Sequence, residues 1–367
     1  MIRVLLADDE EPARDRLRLM LAPFDDLQVV GEAVDGDDAV SKIALLQPDL
    51  VFLDIEMPGR TGMEVAALIE PPRPRVIFCT AFDRYAIDAF EQHAVDYLLK
   101  PPSAVRLTKA VERVRTTIVE ERRLRRDLAA ATDAQARLLP QTLPPMTRLD
   151  YSGASRPARE VGGDYYDFLP VGPHRLAIAV GDVSGKGLYA ALLVASLQAR
   201  IQSLALRVHT LGDLVGEVDR LMYASTDRDK YATLFYGVFD DDRRTLTYVN
   251  AGHVPPLLFC PAEAAGRVER LASTGPVIGL LEGAQFQATS RHLDAGDVLL
   301  IHTDGVTDAV NEAGDEFGEE RLAALVPHLA HLPAAAIRDS ILEELSRFVG
   351  VCPPYDDVTL VVAKMKG

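Results

Sequence analysis

Three things are scarce in this chain: cysteine, positive charge and long uncharged apolar runs. The three cysteines, Cys79, Cys260 and Cys352, lie in or beside apolar or proline-rich segments. Three unpatterned thiols build neither a disulfide framework nor a zinc site, and each reads as a packed side chain rather than a nucleophile. Lysine and arginine number 39 against 55 aspartates and glutamates, a formal net charge of -16. That balance disfavours nonspecific binding to nucleic acid or to an anionic membrane. No run reaches the roughly 18 uncharged apolar residues of a membrane helix, because Gln198, Arg200 and Gln202 interrupt the best candidate. The opening Met1-Ile2-Arg3-Val4 reads as the start of a strand and not as a signal peptide, so the expected compartment is the cytoplasm.

What is present is acidic and glycine-flanked. At 367 residues the chain suggests two domains, each large enough to bury a core. The heptapeptide Gly181-Asp182-Val183-Ser184-Gly185-Lys186-Gly187 sits between an apolar run, 176–180, and an alanine- and leucine-rich helical run from Leu188. A phosphate-cradling G-x-x-x-x-G-K-[ST] loop fails here on spacing, and Gly187 stands where Ser or Thr is needed to hold magnesium. A carboxylate at a strand end, followed by a turn with free glycines, instead lets oxygens converge on a hard cation.

Three further aspartates have similar settings. Asp164 follows Gly162-Gly163, Asp304 closes an apolar run and precedes Gly305, and Asp356-Asp357 opens the C-terminal apolar run. A lone strand-end Asp is usually a solvated turn residue; four of them suggest one shared site. Four clustered carboxylates repel one another without a countercharge, and two divalent cations supply it.

Taken together, VGGDYYDF, GDVSGKG, YATLFYGVFD, NAGHVPP, TDGVTDA and DDVTLVV resemble, in this order, the sigma-factor-regulating and sporulation-type branch of the PPM metal-dependent protein phosphatases. The resemblance covers residues 135–367. It implies an α+β sandwich of two β-sheets flanked by helices around a dinuclear manganese or magnesium centre. By that resemblance Asp182 bridges both metals, with the Val183 carbonyl on one of them. Asp304 and Asp356 are ligands of the second metal, and Asp164 holds a metal-bound water. Which of Asp356 and Asp357 binds stays open, with the first favoured. Water activated between two cations attacks phosphorus without a protein nucleophile.

Residues 1–102 alternate short apolar runs, at 4–7, 29–30, 50–53, 76–79 and 97–99, with helical stretches. Their shortness, β-branched content and spacing indicate five parallel strands in an α/β doubly wound sheet. Polar residues follow the strands: Asp8-Asp9 the first, Asp54 the third, Thr80 the fourth and Lys100 the fifth. Ligands bind beyond the carboxyl ends of such strands, so all five meet on one edge. With Asp54-Ile55-Glu56-Met57-Pro58-Gly59 and Lys100-Pro101, this constellation resembles the receiver domain of two-component response regulators. The resemblance implies Asp54 as phosphoacceptor, one magnesium held by Asp9, Asp54 and the Glu56 carbonyl with Asp8 assisting through water, and Thr80 and Lys100 on the phosphoryl group. It marks Tyr97 as the switch aromatic, against an ordinary sheet aromatic, and it allows a cis Lys100-Pro101 bond. The run 79–83 through 96–100 is similar to receivers that usually precede a DNA-binding output. Residues 334–349, with two arginines and Glu343-Glu344, provide no basic reading helix.

Between the domains, residues 103–139 lack glycine and proline and carry Leu107, Val111, Val114 and Ile118 at helical, near-heptad spacing. This suggests a signalling helix that pairs with a second copy, against a monomeric amphipathic helix. Arg122, Arg123, Arg125 and Arg126 read as a solvated helix face, and Pro140, Pro144 and Pro145 stop the helix. The expected organisation is a receiver over 1–122, a linker helix over 103–142 and a phosphatase domain over 143–367. Within the last, helices are expected at 188–206, 210–226, 318–330 and 334–349, and strands at 175–182, 232–240, 244–250, 297–303 and 358–364. His253 reads as a turn histidine bonded to backbone rather than a general acid, and His328 and His331 as weak metal candidates. The expected function is a response regulator whose output is a phosphoserine/phosphothreonine phosphatase. Its expected partners are a cognate sensor histidine kinase and a phosphorylated anti-sigma-factor antagonist or similar regulator. The rival is a non-enzymatic adaptor that binds a partner through a phosphatase-like domain.

Overall fold

In the computed structural model, which describes residues 1–69, 74–81, 94–262 and 266–367, the first five apolar runs form a parallel sheet. Strands β1 (Ile2–Ala7), β2 (Leu27–Ala33), β3 (Leu50–Leu53), β4 (Arg75–Thr80) and β5 (Asp96–Leu99) lie in the order β2-β1-β3-β4-β5. Alternation along β1 shows why both faces are covered. Val4 and Leu6 pack with Leu17 of α1 (Glu11–Leu21), whereas Leu5 and Ala7 pack with Ala39 of α2 (Gly36–Leu46) and Val65 of α3 (Gly62–Ala67). The helix starts are specified locally: Asp35 caps α2 through the Asp38 N–H, and Thr61 with Glu64 forms a capping box on α3. A Cβ on Gly62 would stand 2.0 Å from the Asp54 carbonyl oxygen, so only glycine lets α3 start beside the end of β3. The Lys100-Pro101 bond is cis. Phe82 and Asp83, part of the run similar to other receivers, lie outside the described residues.

By its internal contacts the chain divides into two units, Met1–Arg126 and Asp127–Gly367. Helix α4 (Ala104–Ala136) crosses that boundary in sequence. In the first unit it buries Leu107, Val111, Val114 and Ile118 on the sheet, and beyond them Leu124 is 59% exposed. In the second unit its last turns are bonded to the loop before Asp164. Thr132 Oγ1 donates to the Glu160 carbonyl at 2.6 Å, and Gln135 and Gly162 exchange two hydrogen bonds of 2.7 and 3.0 Å.

The second unit stacks two five-stranded antiparallel sheets. One runs β13-β10-β9-β8-β7, from β7 (Asp164–Gly172), β8 (Arg175–Val183), β9 (Ala232–Asp240), β10 (Thr245–Ala251) and β13 (Thr289–His292). The other runs β12-β11-β14-β15-β6, from β6 (Leu149–Arg156), β11 (Leu257–Cys260), β12 (Arg267–Arg270), β14 (Val298–His302) and β15 (Val358–Met365). Inward residues Ile178, Val180, Ile301 and Val361 share one core. The outward set of β8, Ala177 and Ala179, packs under α5 (Leu188–Leu204) and α6 (Leu211–Tyr223). Leu300, Leu360 and Val362 pack under α8 (Glu319–Leu329) and α9 (Ala334–Val349), with short α7 (Asp304–Thr307) leaving the end of β14. Burial on both faces explains why these strands are unbroken apolar runs rather than alternating ones.

Strands β6, β7, β11, β12 and β13 were not anticipated. β6, Leu-Asp-Tyr-Ser-Gly-Ala-Ser-Arg, reads as polar because its hydrophilic positions serve a helix. Asp150 accepts the N–H of Ala334 at the start of α9, and Ser152 accepts from Arg338 at 2.5 Å. Among the described residues, no helix is long and apolar enough to cross a membrane.

Candidate functional site

Two acidic clusters form, one in each unit. In the first, the chain leaves β1, β3, β4 and β5 at the same sheet edge, so Asp8, Asp54, Thr80 and Lys100 converge as a parallel sheet requires. One oxygen from each of Asp8, Asp9 and Asp54 falls within a mutual 4.8 Å. Lys100 Nζ lies 2.6 Å from Asp8 Oδ2 and 2.5 Å from Asp54 Oδ2. Burial raises the Asp8 carboxyl above its ordinary range despite the ammonium. For Lys100 burial pulls the other way, but hydrogen bonds to Asp54 and Asp8 outweigh it and the ammonium is held above its usual value. The Thr80 hydroxyl is buried without a hydrogen-bond partner. A hard cation on the three carboxylates and a phosphoryl oxygen on Thr80 would satisfy all of these groups. The Tyr97 ring is buried among the α2- and α3-facing residues, and the Glu56 side chain is exposed.

In the second unit the aspartates come from both sheets. Asp164 opens β7 directly opposite Asp182 near the end of β8, and Asp182 faces Thr233 on β9. From the other sheet, Asp304 follows β14 and Asp356 precedes β15. The Thr303 hydroxyl ties the two sheets, donating to Asp164 Oδ2 at 2.8 Å while accepting the Thr359 N–H at 3.0 Å. Burial, then the neighbouring Asp182, pushes the Asp164 carboxyl well up. Burial, then Asp304 and Asp356, lifts Asp182 to about 7, and Asp304 is raised by burial, Asp308 and Asp356. Asp182 thus feels Asp304 and Asp356 of the other sheet, and Asp164 feels Asp182, although the four are more widely spaced than the first cluster.

Glycine makes the approach feasible. A Cβ at Gly305 would stand 2.0 Å from the Asp357 carbonyl oxygen, and one at Gly163 would stand 2.9 Å from that of Val183. The second position leaves the Val183 carbonyl uncrowded beside Asp164 and Asp182. One buried and three half-buried carboxylates from two sheets, an adjacent backbone carbonyl and excess negative charge form the oxygen-rich donor set that hard divalent cations take. The residues fit a metal centre.

Asp356 and Asp357 differ in what they already hold. Asp357 accepts the Ala158 and Gly163 N–H groups, at 2.7 and 2.5 Å, one on each oxygen. Asp356 Oδ2 meets the ammonium of Lys186 at 2.9 Å, and its Oδ1 accepts the Asp357 N–H at 2.9 Å. Lys186 also donates to the Tyr355 carbonyl at 2.8 Å and lies 4.8 Å from the centre of that ring. Sequence reasoning missed Lys186, Thr303 and Thr233 as members of the site and weighed Asp357 only as the alternative ligand to Asp356. Lys186 was weighed only as a phosphate-loop lysine, and the threonines carry no signal apart from their neighbours.

Burial drives the His253 pKa down to about 3, which favours the neutral ring. Its ring bonds the Thr233 hydroxyl at 2.9 Å rather than backbone, while its N–H donates to Asn250 Oδ1. His328 and His331 are exposed and join no cluster of metal-ligating residues among those described.

A doubly wound parallel domain with an acidic strand-end cluster, followed by a two-sheet sandwich with a second acidic centre, is the architecture of a receiver fused to a PP2C-type phosphatase. Residues 172–366 match the family model for stage II sporulation protein E (SpoIIE), and the chain belongs to that family. Residues 4–112 match the response regulator receiver domain. The transcriptional regulatory protein BtsR of Salmonella typhi is 48% identical over 116 residues, 31% of this chain and 48% of that protein, so the chain spans about half of this relative's length. Protein IcfG of Synechocystis is 29% identical over 265 residues, 65% of this chain and 41% of that one. Among solved structures, the RsbU and RsbW domains of Rv1364c from Mycobacterium tuberculosis align at 30% identity and TM-score 0.54, over 61% of this chain and 62% of that one. The SiaA-PP2C domain of Pseudomonas aeruginosa aligns at 22% identity and TM-score 0.60, over 67% and 99%, a likeness of fold.

Proposed function

We propose that the chain is a cytoplasmic response regulator in which phosphorylation of Asp54 controls a metal-dependent phosphoserine/phosphothreonine phosphatase. Its substrate is a phosphorylated anti-sigma-factor antagonist or a similar small regulator, and its phosphodonor is a cognate sensor histidine kinase. The receiver takes residues 1–122, the linker helix 103–142 and the phosphatase domain 143–367. The observation that carries the reading is the gathering of Asp164, Asp182, Asp304 and Asp356 from two sheets into one mutually repelling group.

Asp182 and the Val183 carbonyl would hold one manganese or magnesium ion, with Asp182 shared to a second held by Asp304 and Asp356. When bound, the two cations supply the positive charge that makes a solvent molecule nucleophilic near neutral pH and that offsets charge growing on the phosphoryl oxygens. The chain's own work is to hold the carboxylates in place. Thr303 fixes the Asp164 carboxylate for orienting solvent, and Asp357 pins the 158–163 loop beneath it. In the receiver, one magnesium would sit on Asp8, Asp9, Asp54 and the Glu56 carbonyl. Thr80 and Lys100 would contact the phosphoryl group, with Tyr97 as switch.

Control is supported by α4, whose Gln135 is bonded to Gly162 two residues before Asp164. A shift of this helix on phosphorylation would move the loop that positions Asp164. Val119 and Leu124, 58% and 59% exposed on the same helix, support pairing with a second copy. The test is hydrolysis of a phosphoserine protein and of para-nitrophenyl phosphate by the full chain with manganese, with and without beryllofluoride on the receiver. Divalent-dependent hydrolysis whose rate changes severalfold with beryllofluoride is expected. Full activity in chelator removes the metal mechanism, and indifference to beryllofluoride removes the control.

A further inference from the structure

A cavity of about 210 Å3 opens beside the second acidic cluster. Its walls are mainly apolar, from Ala309 and Val310 after α7, Leu342, Leu345 and Val349 of α9, and Tyr355, with Arg156 and Asp308 as charged members. It shares Gly305 and Asp356 with the acidic centre, and α7 divides the two, giving Asp304 to the centre and Gly305 to the cavity. The volume corresponds to about seven waters at roughly 30 Å3 each. That falls below the roughly 300–1,000 Å3 of small-molecule sites and suits one or two side chains. Apart from Arg156, which lines it together with Asp308, the cavity offers little for a phosphoryl group to bind.

We propose that this cavity receives an apolar side chain, of leucine size, that lies within a few residues of the phosphorylated serine or threonine in the substrate polypeptide. The inference rests on the phosphatase reading and adds a specificity site to it. Continuity carries the argument. An extended chain advances about 3.3–3.6 Å per residue, so a polypeptide with its phosphoryl group at the aspartates reaches past α7 within a few residues. This hollow adjoins the centre there, sharing Gly305 and Asp356 with it. Burying one or two methylenes in such a pocket discriminates substrates by roughly 10–200-fold in kcat/KM. A small aryl phosphate does not reach the hollow and is indifferent to it.

The experiment uses the full chain with manganese and a series of phosphoserine peptides in which leucine is placed singly at each of the four positions on either side, against an all-alanine parent. One position is expected at which leucine raises kcat/KM by at least about 10-fold. Ser346→Phe, at an exposed position on the cavity wall, is expected to erase that preference while para-nitrophenyl phosphate hydrolysis stays within about twofold. Equal rates for every peptide with wild-type protein overturn the proposal, as does a Ser346→Phe protein that keeps the preference. A change of oligomeric state in Ser346→Phe with unaltered peptide rates assigns the cavity to a segment of a second copy and overturns it too. Absence of hydrolysis of any substrate by wild type is the separate failure of the phosphatase reading.

Discussion

The two acidic centres solve one electrostatic problem at different scales. In the receiver, three carboxylates lie within 4.8 Å of one another and a lysine, its side chain 15% exposed, touches two of them. In the phosphatase unit, four carboxylates are spread between two sheets, and Lys186, 39% exposed, reaches only Asp356. A single parallel sheet aligns its strand ends, so neighbours in the order deliver their terminal residues to one spot. A sandwich must bring strand ends together across a core, and the carboxylates stay further apart. The lesson is in the charge left over. Lys100 goes far towards balancing the receiver cluster, whereas Asp164 and Asp182 remain strongly destabilised as anions. The first centre is close to balanced and could take a single cation; the second calls for more positive charge than the protein provides.

The largest expected effect breaks the two centres apart functionally. Asp182→Asn should lower manganese-dependent hydrolysis of para-nitrophenyl phosphate by about 10³-fold or more, since one missing ligand disturbs charge stabilisation at both ions. Phosphoryl incorporation at Asp54, followed by phosphate-affinity electrophoresis, should be unchanged. Asp54→Asn should give the mirror image, with no incorporation and unaltered basal hydrolysis. If either variant disables both activities, the centres are not independent.

Next comes pH. Asp182 has a pKa of about 7 in the metal-free fold against an ordinary value of 3.8, so between those limits the folded state binds more protons than the unfolded one. Stability therefore falls as pH rises from about 4 to about 7 and is flat above, a loss of up to about 4 kcal/mol at 1.36 kcal/mol per pH unit. Asp164 adds the same sign. In the receiver, the raised Lys100 stabilises throughout this window and loses its contribution only at alkaline pH, beyond about 10.4. Calorimetry of the intact chain in chelator should show the phosphatase transition moving down in temperature from pH 5 to pH 8, and manganese should restore it most at the upper end. A transition that rises with pH in chelator would contradict the burial of these anions.

The same contrast decides what could be read from sequence. The receiver was legible nearly whole, because each functional residue follows an apolar run directly and a parallel sheet converts that order into proximity. Asp182, Asp304 and Asp356 were also visible, since burial on both faces makes β8, β14 and β15 continuous apolar runs with an acid at or beside one end. What escaped depends on contacts across the sandwich. The Asp150 and Ser152 partners in α9 disguised β6, and Thr303 acquires its role only when β7 and β14 are opposed. His253 bonds a threonine that lies 20 residues away, so its ring partner could not be guessed from its turn.

The adjacent pair Asp356-Asp357 offers a smaller and sharper test of the second centre. Asp357→Ala would leave the partly buried Ala158 and Gly163 N–H groups without acceptors, at about 1–3 kcal/mol. Asp356→Ala removes an exposed ion pair and should cost less than about 1 kcal/mol, yet it should weaken manganese binding. Urea midpoints with manganese titration by calorimetry separate the two. Loss of stability without loss of metal affinity in Asp356→Ala would exchange the roles.

Lys186→Met carries the smallest effect on stability and still distinguishes the centres. Its partner is one-third exposed, so the ion pair is worth at most about 1 kcal/mol, and the urea midpoint in chelator should barely move. The ammonium nevertheless occupies the Asp356 oxygen that a divalent cation would use, and it also favours the charged forms of Asp182 and Asp304. Removing it should relieve competition at Asp356, so manganese affinity measured by calorimetry is expected to rise or hold. A fall in affinity would mean that Lys186 organises the centre rather than standing in for the cation, and the phosphatase cluster would then resemble the lysine-balanced receiver more than its spacing suggests.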